Sequence, residues 1–161
     1  MVIHATVPAM RFWHDGQFEG SRIKAPVQLR RRPVEPLDRP LMSFSERLLQ
    51  EVNQPVFHQG TWRMLETRGW PDNRSYQNFL VWTWTEGEER RLIVVNYSPH
   101  TSQGVINIPE KWLPESQQVR CVDPLKGELH LRSTYRLEGE GLYVELKPWG
   151  FHFFVIVEDI K

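Results

Sequence analysis

Histidine, cysteine and carboxylate side chains are the groups of this 161-residue chain that could do chemistry. Their spacing argues against a metal site, a catalytic nucleophile and a cofactor site. No two histidines stand at a helical i, i+4 spacing or beside a cysteine, so the pattern of a zinc site is missing. Cys121 lies on a predicted strand, where we expect a small buried apolar residue rather than a nucleophile. No serine-hydrolase elbow, phosphate loop or dinucleotide fingerprint occurs. We therefore predict no metal and no cofactor. The histidines are His4, His14, His58, His100, His130 and His152.

Tryptophan is the other abundant chemical group, with seven copies. An exposed indole can stack on the apolar C–H face of a sugar ring while polar neighbours bond the hydroxyls. Trp82 and Trp84 alternate with polar residues, so the periodicity predicts that both are buried in a core. Trp70 and Trp112 lie near predicted turns, and the pattern leaves their exposure open.

The elements that would position these residues are mainly strands. Residues 78–85 and 90–97 alternate in the manner of two half-buried strands, joined by a loop at residues 86–89. An isolated hairpin is only marginally stable, so its apolar faces require a second sheet or a helix. The last predicted strand, residues 150–158, is apolar on both faces and is therefore expected to be central.

Further short strands complete the prediction. They are residues 60–67, 105–108, 118–122, 129–131, 135–137 and 142–146, with a turn at residues 71–73 and a second hairpin around residues 138–141. Closely spaced strands of this kind are typical of an antiparallel sandwich or open barrel. The predicted fold class is mainly β, an antiparallel β-sandwich of about seven to nine strands, preceded by one α-helix and a largely irregular N-terminal segment.

The part before the sandwich holds one helix, predicted at residues 38–52. Leu41, Leu48 and Val52 belong to its apolar stripe, Asp38 is a candidate N-cap, and Pro40 falls in the first turn, where its missing N–H costs nothing. Residues 10–14 have the pattern of a short strand buried on both faces, but no second strand lies near them. Residues 18–36 show no periodicity. We divide the chain into residues 1–54 and residues 55–161.

Charge and composition exclude several classes of protein. Lysine plus arginine equals aspartate plus glutamate at 20 each, and the short basic run at residues 30–32 is read as a solvated or ion-pairing patch, so we expect no nucleic-acid partner. No signal-peptide pattern or membrane-length apolar run is present. One cysteine fits a reducing compartment, and we expect a cytoplasmic protein.

Several segments resemble the α-amylase family of glycoside hydrolases, family 13. The run Met-Arg-Phe-Trp-His-Asp-Gly-Gln-Phe-Glu-Gly at residues 10–20 resembles that family's eighth barrel strand and following loop. Residues 26–33 and the helix at 44–49 resemble the continuation, and residues 90–96 and 141–151 resemble the C-terminal β-domain. The resemblance covers nearly the whole chain, in order and local pattern rather than in one diagnostic motif.

The resemblance implies the end of an eightfold β/α barrel, residues 1–54, followed by the C-terminal sandwich domain, residues 55–161. The family's two catalytic carboxylates and a supporting aspartate lie after barrel strands four, five and seven, which precede this chain. His14-Asp15 echoes the family's motif on strand seven, but the glycine-flanked run that follows at once is that of strand eight. Whether the chain is an enzyme is left open. We expect it to be inactive alone, since a retaining glycosidase needs both carboxyl groups.

The same resemblance implies site residues and partners. Gln17 and Glu19 would border the active-site face of the intact barrel and could touch substrate there. Alternatively, Gly16 and Gly20 shape the turn and Glu19 pairs with an arginine. The expected role is to pack against and stabilise the catalytic barrel of an enzyme that acts on α-glucans. The alternatives are an independent carbohydrate-binding sandwich and a stand-alone interaction domain. Residues 1–35, which lack sheet neighbours, are expected to be mobile or without regular ladder bonds.

Overall fold

The computed structural model describes residues 1–24, 26, 28, 30–31 and 33–159. It forms two compact units, Met1–Gln54 and Pro55–Lys161. Parts of two sequence predictions, the basic run at Arg32 and the family-like segment at Val27 and Leu29, lie outside the described residues.

The first unit contains helices α1, Val2–Thr6, and α2, Arg39–Val52. The α2 prediction is confirmed: Leu41 N donates to Asp38 Oδ1 over 3.0 Å, and a proline occupies the first turn. Leu48 and Val52 of the predicted stripe are buried. The short helix α1 was not foreseen. No helix in the described part of the chain has both the length and the apolar character that a membrane span needs.

The prediction of a strand at residues 10–14 is wrong. This segment has no regular structure, and Met10 and Phe12 are 93% and 67% exposed, the opposite of a strand buried on both faces. A strand exists only through ladder bonds to a neighbour, and the described part of Met1–Gln54 contains no other strand. The apolar pattern was therefore present without the partner that would make it a strand.

The second unit begins with α3, Val56–Gln59, and its described residues form nine strands in two antiparallel sheets, which confirms the predicted β-sandwich. The six-stranded sheet has the order β1-β3-β4-β9-β6-β7, and the three-stranded sheet has the order β2-β5-β8. The strands are β1 Thr61–Met64, β2 Thr67–Arg68, β3 Phe79–Glu86, β4 Glu89–Asn96, β5 Ser102–Ile106, β6 Gln118–Asp123, β7 Glu128–Ser133, β8 Leu142–Leu146 and β9 Phe151–Glu158.

The central hairpin is β3 with β4, as predicted, but its loop is tighter. Glu86 pairs directly with Glu89, so only two residues connect the strands instead of four. The first of them, Gly87, has a φ of 54°, in the left-handed region that glycine adopts without a Cβ clash. The predicted central position of β9 is also confirmed, because β9 lies between β4 and β6.

The central strands β3, β4 and β9 of the six-stranded sheet are largely buried on both faces, whereas the edge strands β1 and β7 are mostly exposed. One face packs on the three-stranded sheet, with Val81, Leu92 and Phe154 in the common core. The other face carries Trp84 and Phe153, and the ring of Phe57 from α3 lies 5.7 and 5.8 Å from theirs, centroid to centroid. Both predicted kinds of cover, a second sheet and a helix, are therefore present within this unit.

Two strand predictions need correction. Residues 60–67 do not form one strand, because the chain passes from β1 in one sheet to β2 in the other, with Leu65 buried between them. Residues 135–137 are not half of a hairpin but belong to helix α4, Thr134–Gly139. Thr134 and Leu137, three residues apart, are its buried side chains, and Gly141 ends it with a φ of 82° and an N–H bond to Leu137 O. Strand β8 pairs with β5 instead.

Candidate functional site

The two residues predicted to touch substrate, Gln17 and Glu19, lie in a compact turn of the first unit. Gly16 and Gly20 have φ angles of 81° and 74°, so both hold left-handed positions in this turn. The Gln17 side chain accepts a bond from His14 N at 3.1 Å, and the main-chain oxygen of Glu19 accepts one from Asp38 N at 3.0 Å. Both side chains are half-buried. The glycines shape the turn as expected, and the substrate role stays a prediction.

A cluster that the sequence did not reveal lies in the second unit, where β6 ends and β7 and β9 begin. Asp123, Glu128 and His152 each bring one potential ligand atom, and these atoms lie within 4.8 Å of one another. Asp123 and His152 are 29 residues apart, and the pairing of β6 with β9 brings them together. Three such groups could in principle hold a metal ion or pair two carboxyl groups, so their hydrogen bonds decide what the cluster does.

The side-chain carboxylate of Asp123 accepts three hydrogen bonds from backbone N–H groups. Its Oδ1 accepts bonds from Leu125 N and Lys126 N at 3.1 and 3.2 Å, which closes the turn after β6. Its Oδ2 accepts a bond from Phe153 N at 3.1 Å, which ties this turn to β9. The residue has no exposed surface. This carboxylate is therefore a structural link between the turn and the central strand.

A lysine already supplies positive charge to the cluster. Lys126 Nζ lies 3.9 Å from Asp123 Oδ2 and 3.4 Å from His152 Nδ1, and it also donates to Phe151 O. An ammonium group has only donors, so a hydrogen bond from Lys126 to His152 requires Nδ1 to act as the acceptor. A metal ion at this point would have to displace the ammonium group. The geometry favours a salt-bridged turn over a metal centre.

The same contacts exclude Asp123 and Glu128 as a glycosidase pair. A retaining enzyme needs a nucleophilic carboxylate that reaches the sugar and a second carboxyl group about 5–5.5 Å from it. Asp123 and Glu128 are close enough, but Asp123 is inaccessible and its lone pairs are engaged. Asp123 therefore stabilises the backbone around it and cannot act as a nucleophile on a substrate.

An open groove in the second unit carries two further carboxylates. It has a volume of about 750 Å³ and is bordered by Lys111, Glu115, Thr134 and Glu138 among others. Glu115 and Glu138 are exposed to solvent. An open groove lacks the exclusion of water that strengthens acid–base catalysis at a glycosidic bond.

Cys121 behaves as predicted. Its side chain is 2% exposed and belongs to the core between the sheets. Burial raises the pKa of the thiol from 9.0 to about 11, against a smaller opposing effect of Arg132. The neutral thiol is a poor nucleophile, so the residue is a packing element.

The tryptophans separate into buried and exposed groups. Trp82 and Trp84 are 2% and 4% exposed, which confirms the prediction from their alternation. Trp112 is half-buried, and its indole N–H donates to Thr85 Oγ1 at 2.8 Å. Trp70 and Trp149 are 41% and 58% exposed, and they are the indoles with the most open ring surface in the described chain.

The overall fold has clear relatives among solved structures. A noncanonic maltogenic α-amylase, AmyB from Thermotoga neapolitana, matches 98% of this chain with a TM-score of 0.74 at 12% sequence identity. The α-amylase of Geobacillus thermoleovorans, solved in complex with acarbose, matches 99% of it with a TM-score of 0.70 at 14% identity. This chain has the fold of one part of an α-amylase. An Anoxybacillus α-amylase matches 78% of the α-amylase-like chain with a TM-score of 0.55 at 15% identity.

The extent of these matches agrees with the resemblance seen in the sequence. The α-amylase-like chain corresponds to 35%, 32% and 24% of the three relatives, so it spans about a third of their length or less. Such a share is consistent with the predicted C-terminal portion, and the predicted likeness to the α-amylase family is confirmed in the fold. No family model matches the sequence, and no curated protein matches it either.

Proposed function

We propose that this chain is the non-catalytic C-terminal part of an α-amylase-like glycoside hydrolase acting on α-glucans, and that it packs against and stabilises the catalytic barrel. The observation that carries the proposal is the match over 98–99% of this chain to only about a third of two α-amylases. The three backbone hydrogen bonds that Asp123 accepts support the non-catalytic part of the proposal, because they make the Asp123, Glu128 and His152 cluster structural.

The surface of the first unit supports a role in packing against a further domain. Met10 and Phe12 are 93% and 67% exposed, and Val34 is fully exposed. Ile23 and Leu37 are also more than half exposed. These five large apolar side chains would lose their exposed surface in a contact with a further domain, which would be favourable. In an intact enzyme the remaining barrel would cover them, and residues 10–14 would gain the neighbouring strand that they lack here.

Gln17 and Glu19 are proposed to border the substrate in that intact enzyme. Their turn is fixed by two left-handed glycines, while the side chains keep partial access to solvent. Replacing Glu19 by Gln in the full-length enzyme is expected to raise KM for maltooligosaccharides with little change in stability. An unchanged KM and kcat would assign Glu19 to the turn alone.

Two experiments test the proposed function. The purified chain is expected to release no sugar from starch, maltooligosaccharides or a chromogenic α-glucoside, and measurable turnover would overturn the non-catalytic role. The chain is also expected to raise the thermal midpoint of a separately produced catalytic barrel encoded upstream. If no barrel is encoded in frame upstream, the stand-alone alternative replaces this proposal.

The stabilising contact can be mapped with paired variants. Met10→Ser with Phe12→Ser is expected to weaken or abolish the rise in the barrel's thermal midpoint. Leu129→Ser with Leu131→Ser is the control, because these leucines are also exposed, at 54% and 50%, but lie on β7 of the other unit. Equal effects of the two pairs would show that the apolar surface of the first unit has no special part in docking.

A further inference from the structure

The outer edge of strand β7 is open. This strand ends the six-stranded sheet, and within the described part of the chain β6 is the only strand that pairs with it. The pairing is continuous over all six residues of β7, whereas β1, at the other edge of the sheet, has four residues. Strand β7 contains no lysine, proline or bulge, three devices by which proteins protect an edge. It is therefore a regular template for one more strand.

The hydrogen bonds of the sheet show which backbone groups point out of this edge. Thr134 N donates to Gln117 O at 3.1 Å, in continuation of the β6–β7 ladder. Bonded and non-bonded pairs alternate along an antiparallel ladder, so Leu129 and Leu131 direct their N–H and C=O groups away from β6. The Leu131 carbonyl accordingly accepts a bond from the exposed side chain of Arg132, at 2.9 Å, rather than from β6. These outward groups are available to a further strand.

The side chains of β7 form a polar row and an apolar row. Successive residues alternate between the faces of the sheet, so Glu128, His130 and Arg132 share the side of the common core, at its margin. Leu129 and Leu131 share the opposite side, where they are 54% and 50% exposed. Covering these leucines would be favourable, at about 25 cal/mol for each Å² removed from water.

The order of residues on β7 is complementary to itself. If a second copy of the strand lies antiparallel, with His130 opposite His130, each Glu128 faces an Arg132 and each Leu129 faces a Leu131. The two leucines carry the outward backbone groups, so they form the hydrogen-bonded pairs of the new ladder. Glu128 and Arg132 then form the non-hydrogen-bonded pairs, in which side chains are closest and opposite charges attract. One register thus satisfies both the backbone and the charges.

We propose that β7 is a homodimerisation edge, at which two copies of this chain pair about a twofold axis at His130 and join their six-stranded sheets. The chain has a net charge of zero, so no overall repulsion opposes the contact. One strand from each copy makes a small interface, and we expect a reversible dimer at micromolar concentrations. The inference is independent of the proposed function, which assigns the barrel contact to the first unit.

Sedimentation equilibrium of the purified chain over a concentration series tests the charge pairing. Glu128→Arg and Arg132→Glu are each expected to weaken the dimer by about tenfold or more, because two attractive pairs become repulsive. An equimolar mixture of these two variants is expected to form a heterodimer, because each changed side chain again faces the opposite charge. The controls are Glu88→Arg and Arg63→Glu, which change the net charge equally at exposed positions outside β7 and are expected to leave the dimer unchanged.

A cysteine variant tests the register. His130→Cys places two thiols in a non-hydrogen-bonded pair, whose Cα separation of about 4.5 Å lies within the range of about 4.4–6.8 Å that a disulfide spans. A mild oxidant such as diamide is expected to link this variant into a covalent dimer. Arg132→Cys is the control, because its two copies would stand four residues out of register, about 13 Å or more apart, and are expected to stay unlinked. The native Cys121 is buried and is expected not to react.

Four results would overturn the dimerisation edge. These are a wild-type chain that stays monomeric throughout the series, a dimer that survives both Glu128→Arg and Arg132→Glu, no heterodimer in their mixture, or equal linking of the two cysteine variants. Circular dichroism verifies that each variant is folded. The Leu129→Ser, Leu131→Ser chain is expected to be monomeric and still to raise the thermal midpoint of the barrel, so dimerisation and the barrel contact can fail separately.

Discussion

Replacing Asp123 by alanine tests the conclusion that the Asp123, Glu128 and His152 cluster is structural. The change removes the acceptors of three backbone N–H groups, and two of these bonds, from Leu125 N and Phe153 N, are fully buried. A buried donor left without a partner costs about 1–3 kcal/mol, so the two buried donors together cost about 2–6 kcal/mol. Because the free energy of unfolding of a domain is about 5–15 kcal/mol, Asp123→Ala is expected to remove a large share of it.

Urea unfolding followed by tryptophan fluorescence measures this cost. The midpoint is expected to fall by about 1–3 M with an unchanged slope, because the loss is about 2–6 kcal/mol and a slope of about 2 kcal/mol per molar urea is typical of small proteins. Glu128→Ala is the control: its side chain is 45% exposed, and its loss is expected to change the free energy of unfolding by no more than about 0.5 kcal/mol. Asp123→Asn keeps one carbonyl oxygen and is expected to fall between the two.

Two results would refute the reasoning about this cluster. The first is an Asp123→Ala variant within about 0.5 kcal/mol of the wild-type chain, which would mean that the buried donors find other partners. The second is a rise in the wild-type midpoint on addition of Zn²⁺ or Ca²⁺ that both Asp123→Ala and His152→Ala abolish. That result would establish a metal centre in spite of the ammonium group of Lys126.

Three further predictions concern the core and the turns of the sandwich. Gly104→Ala would place a Cβ 2.5 Å from Tyr76 Cβ, so we expect a loss of about 1–3 kcal/mol in urea unfolding, whereas Gly139→Ala, with open space around it, is expected to be neutral or slightly stabilising. Cys121 is expected to resist alkylation at pH 8 until the chain unfolds. Because burial raises the pKa of its thiol to about 11, the folded state keeps the proton that the unfolded state loses above about pH 9, so the free energy of unfolding is expected to fall between pH 9 and 11. Asn96 is buried, and its Nδ2 lies 2.7–3.1 Å from three main-chain oxygens. Asn96→Asp would replace this donor by a carboxylate oxygen that faces three other acceptors, so it is expected to lower the thermal midpoint more than Asn96→Ala does. Retained stability in Gly104→Ala or Asn96→Asp, or fast alkylation of the folded chain, would contradict the corresponding contact.

The sequence predicted those parts of the fold in which local pattern and tertiary context agree. The β3–β4 hairpin and the α2 N-cap at Asp38 were foreseen because alternation and capping act over a few residues. Residues 135–137 were misassigned because three residues with one buried position fit a strand or a helical turn equally well. Their true state is fixed by Gly141, which ends α4 with a left-handed φ. The prediction for residues 10–14 was wrong for the opposite reason. Their pattern is that of a strand, but the described residues of the first unit contain no neighbouring strand to pair with.

The sites were harder to predict than the elements because they are assembled across the sheets. The predicted strands end at residue 122, next to Asp123, and place His152 on the last strand, and nothing in the sequence relates the two residues. Their proximity depends on the register in which β6 pairs with β9, and the spacing of residues along the sequence does not reveal this register. The turn position of Trp70 was the one local signal that set it apart from Trp82 and Trp84.

The position of β9 in the six-stranded sheet has a consequence for how the chain is made. The strand that joins β4 to β6 is the last of the described strands in chain order, so the six-stranded sheet cannot be completed until Glu158 has been synthesised. A nascent chain that stops before Phe151 holds two separate pieces, β1-β3-β4 and β6-β7, and leaves Leu92 and Ile93 without their neighbours on β9. The sandwich is thus expected to fold only after β9 has emerged from the ribosome, and loss of this eight-residue strand would divide the six-stranded sheet into two unconnected pieces.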